Sequence, residues 1–408
     1  MSTDFQDIPD DFRLEQTQRR RRGLIVVVVM LLVALIISGA ALVAYASLSS
    51  SIKTVDIGAQ SPDKGVPFAP YTGGFNILIA GSDKRAGTGV TDDGDLGSSA
   101  RNDVTMLLHV AKDHSSATVV SFPRDLMVQM PDCTDGETGR TVAGGERRQL
   151  NEAIGRGGLG CVSKTVESLT GTSIPYAAEV SFDGVIKMSD AVGGVPVCFT
   201  APVKDDYSGL NVPKAGAVTL TGGQALAFLR SRHGVGDGSD LARISTQQLY
   251  LSSLARTLKS DATLTDPGKV TGLARVALDS MTFSKDLGDL GTMTSLARAL
   301  ADVPLSAVSF VTYPYAQEGE RVVPHPRAAA VLKEALASDK PIDASAFVLG
   351  RGSRAGTSSP SGSPAAPETP ATPGAPSATA TPTAGTPSQG FTFEGQQATD
   401  DPCVVGAR

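Results

Sequence analysis

The sequence predicts an α/β domain that follows a membrane-spanning helix and precedes a disordered tail. Short apolar runs typical of buried strands alternate with longer segments of helical periodicity. An uncharged apolar run comes before this domain, and a stretch of Pro, Ala, Thr and Ser comes after it. The expected divisions are a cytoplasmic segment (1–23), a transmembrane helix (24–46), an extracellular tether (47–74), the globular domain (75–350) and the tail (351–408).

The run at 24–46 is long enough to cross a hydrocarbon core of about 30 Å as a helix. Four arginines at 19–22 precede it, and such clusters stay on the cytoplasmic side of a membrane. We therefore expect a single-pass protein in the cell membrane, with its N-terminus in the cytoplasm and its later residues outside the cell. A cleaved signal peptide is the alternative, since small residues at 44–50 offer a cleavage point, although the apolar part of a signal peptide is usually about 7–15 residues long.

Three apolar runs at the start of the domain predict strands over 76–81, 104–110 and 117–122, and the last two are joined by a short hairpin connection. A fourth strand is predicted late in the chain, over 307–313. Helical patterns are found at 148–155, 161–171, 183–192, 222–229, 240–259, 269–281, 287–301 and 326–337.

The composition bears on the tail, the cysteines and the classes of partner. The tail lacks aromatic residues over 351–390, so it buries too little apolar surface to offset the entropy of ordering. Four cysteines allow three disulfide pairings in an exported chain, and Cys133–Cys161 is the favoured pair because both residues flank one helical segment; small buried thiols are the alternative. A net charge of −6, without a dense basic run outside the N-terminal flank, argues against nucleic acid as a partner.

Charged residues recur where the predicted strands begin and end. Asp83 follows the first strand, Asp103 precedes the second, and Arg124 and Asp125 follow the third. If the second and third strands form an antiparallel hairpin, Asp103 and its neighbour Arg101 face Arg124 and Asp125 across it. The ends of strands are also where ligands bind in open α/β sheets.

A second group of charges lies further along the chain. Arg230 and Arg232 are two residues apart, so an extended backbone points both side chains the same way. Asp240, Arg243 and Gln247 follow at helical spacings of three and four, which places them on one helix face. Taken singly, each group is typical of a turn, a helix cap or a solvated ion pair; it is their convergence at one edge that indicates a ligand.

The residue types indicate a diphosphate bound together with a cation. The planar fork of arginine bonds phosphate oxygens in pairs, and several such forks neutralise a diphosphate. Carboxylates beside phosphate repel it unless a hard cation lies between them, and Mg²⁺ takes one or two carboxylates plus phosphate oxygens. Mg²⁺, or Mn²⁺ in its place, on Asp83 and Asp103 is therefore expected.

These segments resemble the motifs of the LytR-CpsA-Psr family of cell-wall phosphotransferases. NILIAGSDKR, ARNDVTMLLHV, VVSFPRDLMVQMP, LNEAIGRGG, DAVGGVPV, LTGGQALAFLRSRH and DLARISTQQ occur in the family's order, and the likeness extends over roughly 75–335. The resemblance implies a three-layer α-β-α sandwich with a central mixed sheet and a long apolar groove for a polyprenyl chain. It also implies transfer of a glycopolymer phosphate from a polyprenyl-pyrophosphate carrier to a peptidoglycan hydroxyl, typically the C6 hydroxyl of N-acetylmuramic acid.

The resemblance also assigns roles to individual residues. It implies that Asp83 and Asp103 are Mg²⁺ ligands, and that Asp240 orients the arginines around it, as Asp125 does beside Arg124. The groups implied to hold the pyrophosphate are Arg101, Arg124, Arg230, Arg232, Arg243 and Gln247, and those nearest the chemistry are Asp83, Arg101, Asp103 and Arg124. The sequence departs from the family at Lys84, where many members carry a small or acidic residue.

Three other functions stay open at this stage: a regulatory protein, a wall protein that binds lipid without turnover, and a polyprenyl-pyrophosphate hydrolase. The short segment before the membrane run argues against a DNA-binding regulator. The hydrolase differs from the transferase only in whether water or a sugar receives the phosphoryl group. The expected partners are thus the lipid-linked glycopolymer, peptidoglycan and membrane lipid.

Overall fold

The computed structural model describes residues 52–59, 61, 69, 71–82, 101–260, 263, 266–356 and 391–407. The predicted transmembrane helix at 24–46 and the predicted metal ligand Asp83 lie outside these ranges, as does Lys84. Within them, none of the helices combines the length and the apolar character that crossing a bilayer requires.

Strands and helices alternate along most of the chain. The helices are α1 (Ala153–Thr170), α2 (Phe182–Ala191), α3 (Gly222–Arg230), α4 (Asp240–Leu258), α5 (Pro267–Ser280), α6 (Leu290–Asp302) and α7 (Pro326–Ala337). The strands are β1 (Lys53–Val55), β2 (Phe75–Ser82), β3 (Asn102–Val110), β4 (Ala117–Phe122), β5 (Met127–Gln129), β6 (Cys133–Thr134), β7 (Thr141–Val142), β8 (Arg147–Gln149), β9 (Tyr176–Ser181), β10 (Val195–Phe199), β11 (Val203–Asp205), β12 (Leu210–Val212), β13 (Gly216–Leu220), β14 (Met281–Ser284), β15 (Val308–Thr312), β16 (Tyr315–Glu318), β17 (Arg321–Pro324), β18 (Phe347–Val348), β19 (Ser353–Arg354), β20 (Phe393–Gln397) and β21 (Cys403–Val404).

A nine-stranded mixed sheet forms the centre, in the order β1-β14-β9-β2-β3-β4-β15-β20-β18. Strand β2 is parallel to β9, β4 is parallel to β15, and β3 runs antiparallel between β2 and β4. Strands β2, β9, β4 and β15 therefore end at the same edge of the sheet, and β3 begins there. The site described below lies at this edge.

Helices cover both faces of the sheet. On one face, Leu78, Leu107 and Val120 pack in a single apolar core with residues of α1 and α7. On the other face, Gln248 of α4 donates to the hydroxyl groups of Ser121 and Thr312, which alternate with core-facing neighbours along β4 and β15. The predicted α/β sandwich with a central mixed sheet is confirmed.

The predicted strands at 76–81, 104–110, 117–122 and 307–313 are all present, with ends that differ by at most two residues. Strands β9 and β14 were not predicted, because Glu179 interrupts the short apolar run of β9, and β14 is four residues long with two hydroxyl side chains. The tether prediction is wrong at one point: Lys53–Val55 forms β1, which pairs with β14.

The prediction of a tail disordered from 351 to 408 is wrong for residues 351–356, which include β19, and for residues 391–407. Strand β20 pairs antiparallel with β15 of the main sheet, and β21 lies between β10 and β19. Phe393 and Val404 are buried, so this segment carries the apolar side chains that the preceding Pro/Ala/Thr stretch lacks. We refer to residues 391–407 as the C-terminal segment.

Two disulfides fix distant parts of the domain. Cys133–Cys161 confirms the favoured pairing, and it joins β6 to α1. Cys198–Cys403 ties the C-terminal segment to β10 across 205 residues of sequence. A cross-link over so long a loop removes much conformational freedom from the unfolded chain.

Candidate active site

The backbone register brings the predicted charged groups to one edge. Ser82, the last residue of β2, pairs with Asn102 at the start of β3 and with Ser181 at the end of β9. Phe122, the last residue of β4, lies opposite Thr105 of β3. Asp103 and Arg124 therefore meet at the open end of the β3–β4 hairpin, as the sequence predicted.

The first contact of the site crosses this hairpin. Arg124 Nη1 donates to Asp103 Oδ1 at 2.5 Å, and Arg124 Nε lies 3.7 Å from Asp125 Oδ2. Both partners of the first bond are about three-quarters buried, with side chains 22% and 26% exposed. Shielding of this degree makes the pair stronger than an ordinary surface ion pair.

Asp240 is the centre of the arrangement. Its Oδ1 atom accepts from Arg243 Nη2 at 2.6 Å and from Arg232 Nη2 at 3.1 Å, and it lies 3.7 Å from Arg124 Nε. Arg243 Nη2 also donates to the main-chain oxygen of Asp103 at 3.0 Å. Three guanidinium groups from separate parts of the chain thus surround one carboxylate oxygen.

Helix α4 contributes both charges and a dipole. Asp240 is its first residue, and Ser239 caps the helix by accepting from the Ala242 N–H at 3.1 Å. Residues three apart share a helix face, so Asp240 and Arg243 bond within the first turn. The partial positive charge at the N-terminus of a helix favours anions, and here it adds to that of the arginines.

Asp205, which the sequence did not single out, holds the segment that presents Arg232. Its buried carboxylate accepts from Ser231 Oγ at 2.7 Å and from the main-chain N–H groups of Arg232 and Gly234 at 3.1 and 3.2 Å. Burial acts to raise the pKa of Asp205, but these bonds and one from the Ser208 N–H outweigh it, so the pKa is lowered. The fold therefore favours the ionised form of Asp205.

The other predicted site residues lie at the rim or face elsewhere. Arg101 is exposed directly before β3. Arg230, the last residue of α3, is exposed with its guanidinium 4.9 Å from the centre of the Phe182 ring, which follows the end of β9. Gln247 is buried and donates to the Leu229 main-chain oxygen at 2.9 Å, so it fixes the end of α3 and its amide nitrogen is already engaged.

Two residues that the sequence analysis missed complete the group around Asp125. Arg321 Nη1, from the β16–β17 hairpin, lies 3.8 Å from Asp125 Oδ1. When the amide nitrogen of Gln149 faces Asp125 Oδ1, it donates to that oxygen at 2.9 Å. The amide oxygen of Gln149 then accepts from Arg321 Nη1 at 2.5 Å. Only the packing of β17 against β5 brings this hairpin to the site, and Arg321 lies in no charged motif that would have indicated it.

The electrostatics are those of crowded, partly buried cations. Burial acts to lower the pKa of Arg124, but the bond to Asp103 and the nearby Asp125 and Asp240 raise it overall. Burial lowers the pKa of Arg243, and Asp240 opposes that effect. Arg124 Nε, Arg243 Nε and Asp240 Oδ2 are buried without a hydrogen-bond partner in the described residues. Unpaired groups of this kind mark a place where a ligand, an ion or water completes the bonding.

Of the two predicted Mg²⁺ ligands, Asp103 lies within the described residues, and its carboxylate is of the type that Mg²⁺ takes. In the part of the chain that the structure describes, no three His, Cys, Asp or Glu side chains are grouped to hold a metal by themselves. Mg²⁺ does not need such a cage, because it commonly takes one or two carboxylates and completes its shell with phosphate oxygens and water. Asp103 lies beside the arginines, where those phosphate oxygens would be.

Comparison with known proteins identifies the family. The family model described as LytR_cpsA_psr matches residues 41–335, which is most of the chain. The chain belongs to this family. The resemblance seen in the motifs is thereby confirmed, and the cluster around Asp240 is built from those same motifs.

Two relatives and one solved structure illustrate the family. The chain is 34% identical to the cell wall biosynthesis protein LcpA of Corynebacterium glutamicum, over 59% of this chain and 50% of that protein. It is 28% identical to the polyisoprenyl-teichoic acid–peptidoglycan teichoic acid transferase TagT of Bacillus subtilis, over 53% of this chain and 64% of the relative. The chain thus spans between half and two thirds of the length of these curated relatives. A LytR-Csp2A-Psr enzyme from Actinomyces oris has the same fold, with a TM-score of 0.50 and 21% identity over 68% of this chain and 96% of that one.

We predict that Asp205→Asn destabilises the domain in a pH-dependent manner. The folded pKa lies below the unfolded value of about 3.9, so the carboxylate stabilises the fold above about pH 4 and loses this effect as the pH falls through the folded pKa. At pH 7 the free energy of unfolding should fall by about 1–3 kcal/mol, and the difference from the unaltered chain should shrink at pH 3. Urea unfolding at the two pH values measures it.

The matched control is Asp206→Asn. Asp206 is the next residue, its side chain is exposed, and it pairs only with Lys204 at the surface, so its loss should cost less than about 0.5 kcal/mol. Equal stabilities of the Asp205 and Asp206 variants at pH 7 would contradict the role given to Asp205.

Proposed function

We propose that this chain is a membrane-anchored phosphotransferase that joins a glycopolymer, carried on polyprenyl pyrophosphate, to a hydroxyl group of peptidoglycan. The observation that carries the proposal is the convergence of Arg124, Arg232 and Arg243 on Asp240 at one edge of the sheet. Such a cluster is costly to assemble unless a highly charged anion binds to it. The name of the teichoic acid transferase among the relatives supports the same class of substrate.

The balance of charge favours a diphosphate. Asp103, Asp125 and Asp240 match the three central guanidiniums. Three more arginines, Arg101, Arg230 and Arg321, lie at the rim and leave the site positive overall. Bidentate arginine contacts suit phosphate oxygens, and a rim of several forks can bind both phosphoryl groups of a pyrophosphate.

A lipid carrier is supported by the sheet face that α1 does not cover. Ile77 and Ile79 of β2 alternate with the core residues Leu78 and Ala80, so they point to the other face, and both are only half-buried. They pair with Leu108 and Met106 of β3. This apolar surface ends at the edge where the arginines lie, which suits a lipid whose head group is the pyrophosphate.

The reaction that fits is an in-line displacement at the phosphorus attached to the glycan. The acceptor oxygen forms a bond to this phosphorus while the bond to the bridging oxygen breaks, and polyprenyl phosphate leaves with the electron pair. The acceptor proton passes to a carboxylate at the same edge or to water. Arg124, Arg232 and Arg243 hold the phosphoryl oxygens and stabilise the charge that grows on them, which is the main protein contribution in phosphoryl transfer.

A divalent cation belongs to the same proposal. Asp103 would hold Mg²⁺ or Mn²⁺, together with Asp83 as the sequence predicts. When bound, the ion supplies positive charge between the carboxylates and the phosphate oxygens, which would otherwise repel each other.

The location in the cell is proposed from the sequence and from the cysteines. The apolar run at 24–46 would anchor the chain in the membrane, with the N-terminus inside and the domain outside. All four cysteines are disulfide-bonded in the structure, and disulfides persist outside the reducing cytoplasm.

We predict that Arg124→Ala lowers transfer at least about 100-fold, since removing one preorganised donor to a reacting oxyanion costs about 10²–10³ in rate. The assay uses the full chain in detergent, a polyprenyl-pyrophosphate glycan and peptidoglycan. Arg124→Lys keeps the charge without the fork and should recover only part of the rate. Arg275→Ala is the control, because Arg275 is 86% exposed on α5 and pairs only with Asp279.

If Arg124→Ala transfers as fast as Arg275→Ala, the site assignment is wrong. Product analysis in the same assay separates the rival activity: free glycan phosphate without peptidoglycan product would identify a hydrolase.

A second prediction concerns the cation. Transfer should stop on addition of a chelator and return with Mg²⁺ or Mn²⁺, and Asp103→Asn should raise the Mg²⁺ concentration for half-maximal activity about tenfold or more. Asp206→Asn serves again as a control, since Asp206 lies on the surface. Full activity after exhaustive chelation would refute the metal requirement.

A third prediction tests export. Protein isolated from its own host without reductant should show no reactive thiols, and it should show four after unfolding and reduction. A chain kept in the cytoplasm would carry free thiols from the start, so thiol labelling by mass spectrometry decides between the two locations.

A further inference from the structure

A cavity of about 390 Å³ lies where β15 ends, at the edge of the sheet that also carries Arg124, and it plays no part in the functions described so far. Its walls include Tyr313 and Tyr315, His325 at the start of α7, and Phe391 and Glu394 from the C-terminal segment. Its size is within the range of sites for small organic ligands. We call it the C-terminal cavity.

The C-terminal cavity lies at the same edge of the sheet as Arg124. Tyr313 directly follows β15, its N–H donates to the Ser121 main-chain oxygen at 2.8 Å, and its ring stacks on Phe122 with centres 5.0 Å apart. Phe122 is two residues before Arg124. Neighbouring strands are about 4.8 Å apart, so the cavity begins about one strand beyond the arginine.

One structural element connects the two places. The β16–β17 hairpin begins at Tyr315, which lines the C-terminal cavity, and its other strand carries Arg321, which lies 3.8 Å from Asp125. A ligand that filled the cavity and extended along this hairpin would reach the phosphate site.

The lining combines aromatic faces with hydrogen-bonding groups of both kinds. Tyr315 donates to Glu394 Oε1 at 3.0 Å, and burial together with that carboxylate raises the pKa of Tyr315 to about 12, so the phenol stays protonated. His325 Nδ1 accepts from the Ala328 N–H at 3.3 Å, so in the neutral ring the hydrogen is on Nε2, which can donate. Phe391 packs edge-on against His325, with ring centres 6.1 Å apart.

These groups suit a sugar better than a lipid or a phosphate. The C–H face of a pyranose packs on aromatic rings, and its hydroxyl and amide groups need donors and acceptors such as His325 and Glu394. A carboxylate would repel a phosphate. Glu394 already accepts from Tyr315 and lies 4.0 Å from Arg351, but an acyl chain would offer no polar group to its remaining acceptor positions or to His325 Nε2.

The C-terminal segment is held firmly enough to form a permanent wall. Strand β20 pairs with β15, and Cys403 is bonded to Cys198. Arg256 of α4 donates to the main-chain oxygens of Ala398 and Asp400, both at 2.7 Å. The sequence analysis had given this segment no role.

The direction of the proposed reaction decides which sugar is bound. In an in-line displacement the nucleophile enters opposite the leaving group. The leaving polyprenyl phosphate belongs on the apolar face of β2 and β3, and the C-terminal cavity lies beyond β4 in the sheet order, on the other side of Arg124. The entering hydroxyl therefore comes from the side of this cavity.

We propose that the C-terminal cavity binds a sugar ring of the acceptor peptidoglycan strand and positions its hydroxyl group beside the phosphate site. This proposal rests on the proposed transferase function and adds the place where its acceptor binds. Phe391 supplies a stacking face, and Glu394 and His325 bond the polar groups of the sugar.

The test measures binding and turnover separately, with the full chain in detergent and its disulfides intact. The probe is a soluble tetrasaccharide of alternating N-acetylglucosamine and N-acetylmuramic acid. Glu394→Gln and Phe391→Ala should each raise the Kd for the tetrasaccharide and the KM for the acceptor about tenfold, the effect of losing one charged hydrogen bond or one stacking contact. The kcat and the KM for the lipid donor should stay within about twofold.

Glu334→Gln and Val270→Ala are the controls, because both residues are exposed and neither lines the cavity. Glu394→Gln keeps the shape of the side chain, so it remains informative if Phe391→Ala unfolds, which a melting curve will reveal. If Glu394→Gln binds the tetrasaccharide and uses the acceptor as well as Glu334→Gln does, the acceptor site is wrong.

The two proposals fail in distinguishable ways. If the unaltered chain transfers glycan but Glu394→Gln leaves the acceptor KM unchanged, the proposed transferase activity is supported and the proposed acceptor site is refuted. A different outcome is that the unaltered chain binds the tetrasaccharide, that Glu394→Gln weakens this binding, and that no transfer occurs. In that case the proposed sugar site is supported and the proposed transferase activity is refuted.

Discussion

The sharing of one carboxylate oxygen by three guanidinium groups is the interaction on which this site depends. Asp240 Oδ1 lies within 4 Å of atoms from Arg124, Arg232 and Arg243. Three cations at this spacing repel one another, and a single carboxylate cannot satisfy all their N–H groups. Such a group persists only if the surrounding fold fixes each member, and its repulsion is relieved when an anion with several oxygens binds.

The fold fixes each member by a different means. Pairing of β3 with β4 sets Arg124 against Asp103. The cap and first turn of α4 set Arg243 against Asp240. The buried carboxylate of Asp205 holds the main chain of Arg232. One apolar core on a face of the main sheet and a second core around β10, α3 and α4 supply the stability that keeps these polar contacts in place. The site is therefore preorganised and does not form only when the ligand arrives.

Local rules predicted the part of the site that is local in sequence. A hairpin register is enough to bring Asp103 to Arg124, and a helical spacing of three is enough to bring Asp240 to Arg243. Arg321 could not be found in this way, because only the tertiary packing of its hairpin carries it to Asp125. Gln247 shares a helix face with Asp240, but one face of a helix spans a wide arc. The Gln247 amide nitrogen donates to the Leu229 main-chain oxygen at the end of α3. The order in the C-terminal segment was missed because low-complexity sequence precedes it. The sequence also does not indicate that Cys403 is bonded to Cys198, which ties the segment to the domain.

The C-terminal segment also makes the surfaces on the two sides of Arg124 different. Along the strand order, the apolar surface of β2 and β3 comes first, Arg124 after the end of β4 follows, and the aromatic cavity at β15 and β20 comes last. An in-line reaction needs its leaving and entering groups on opposite sides of the phosphorus. A sheet edge with a lipid-compatible surface on one side and a sugar-compatible cavity on the other meets that need without a large movement. Because β20 forms the far wall and the disulfide of Cys403 fixes the segment that contains β20, covalent structure as well as packing would set the direction of attack in the proposed reaction.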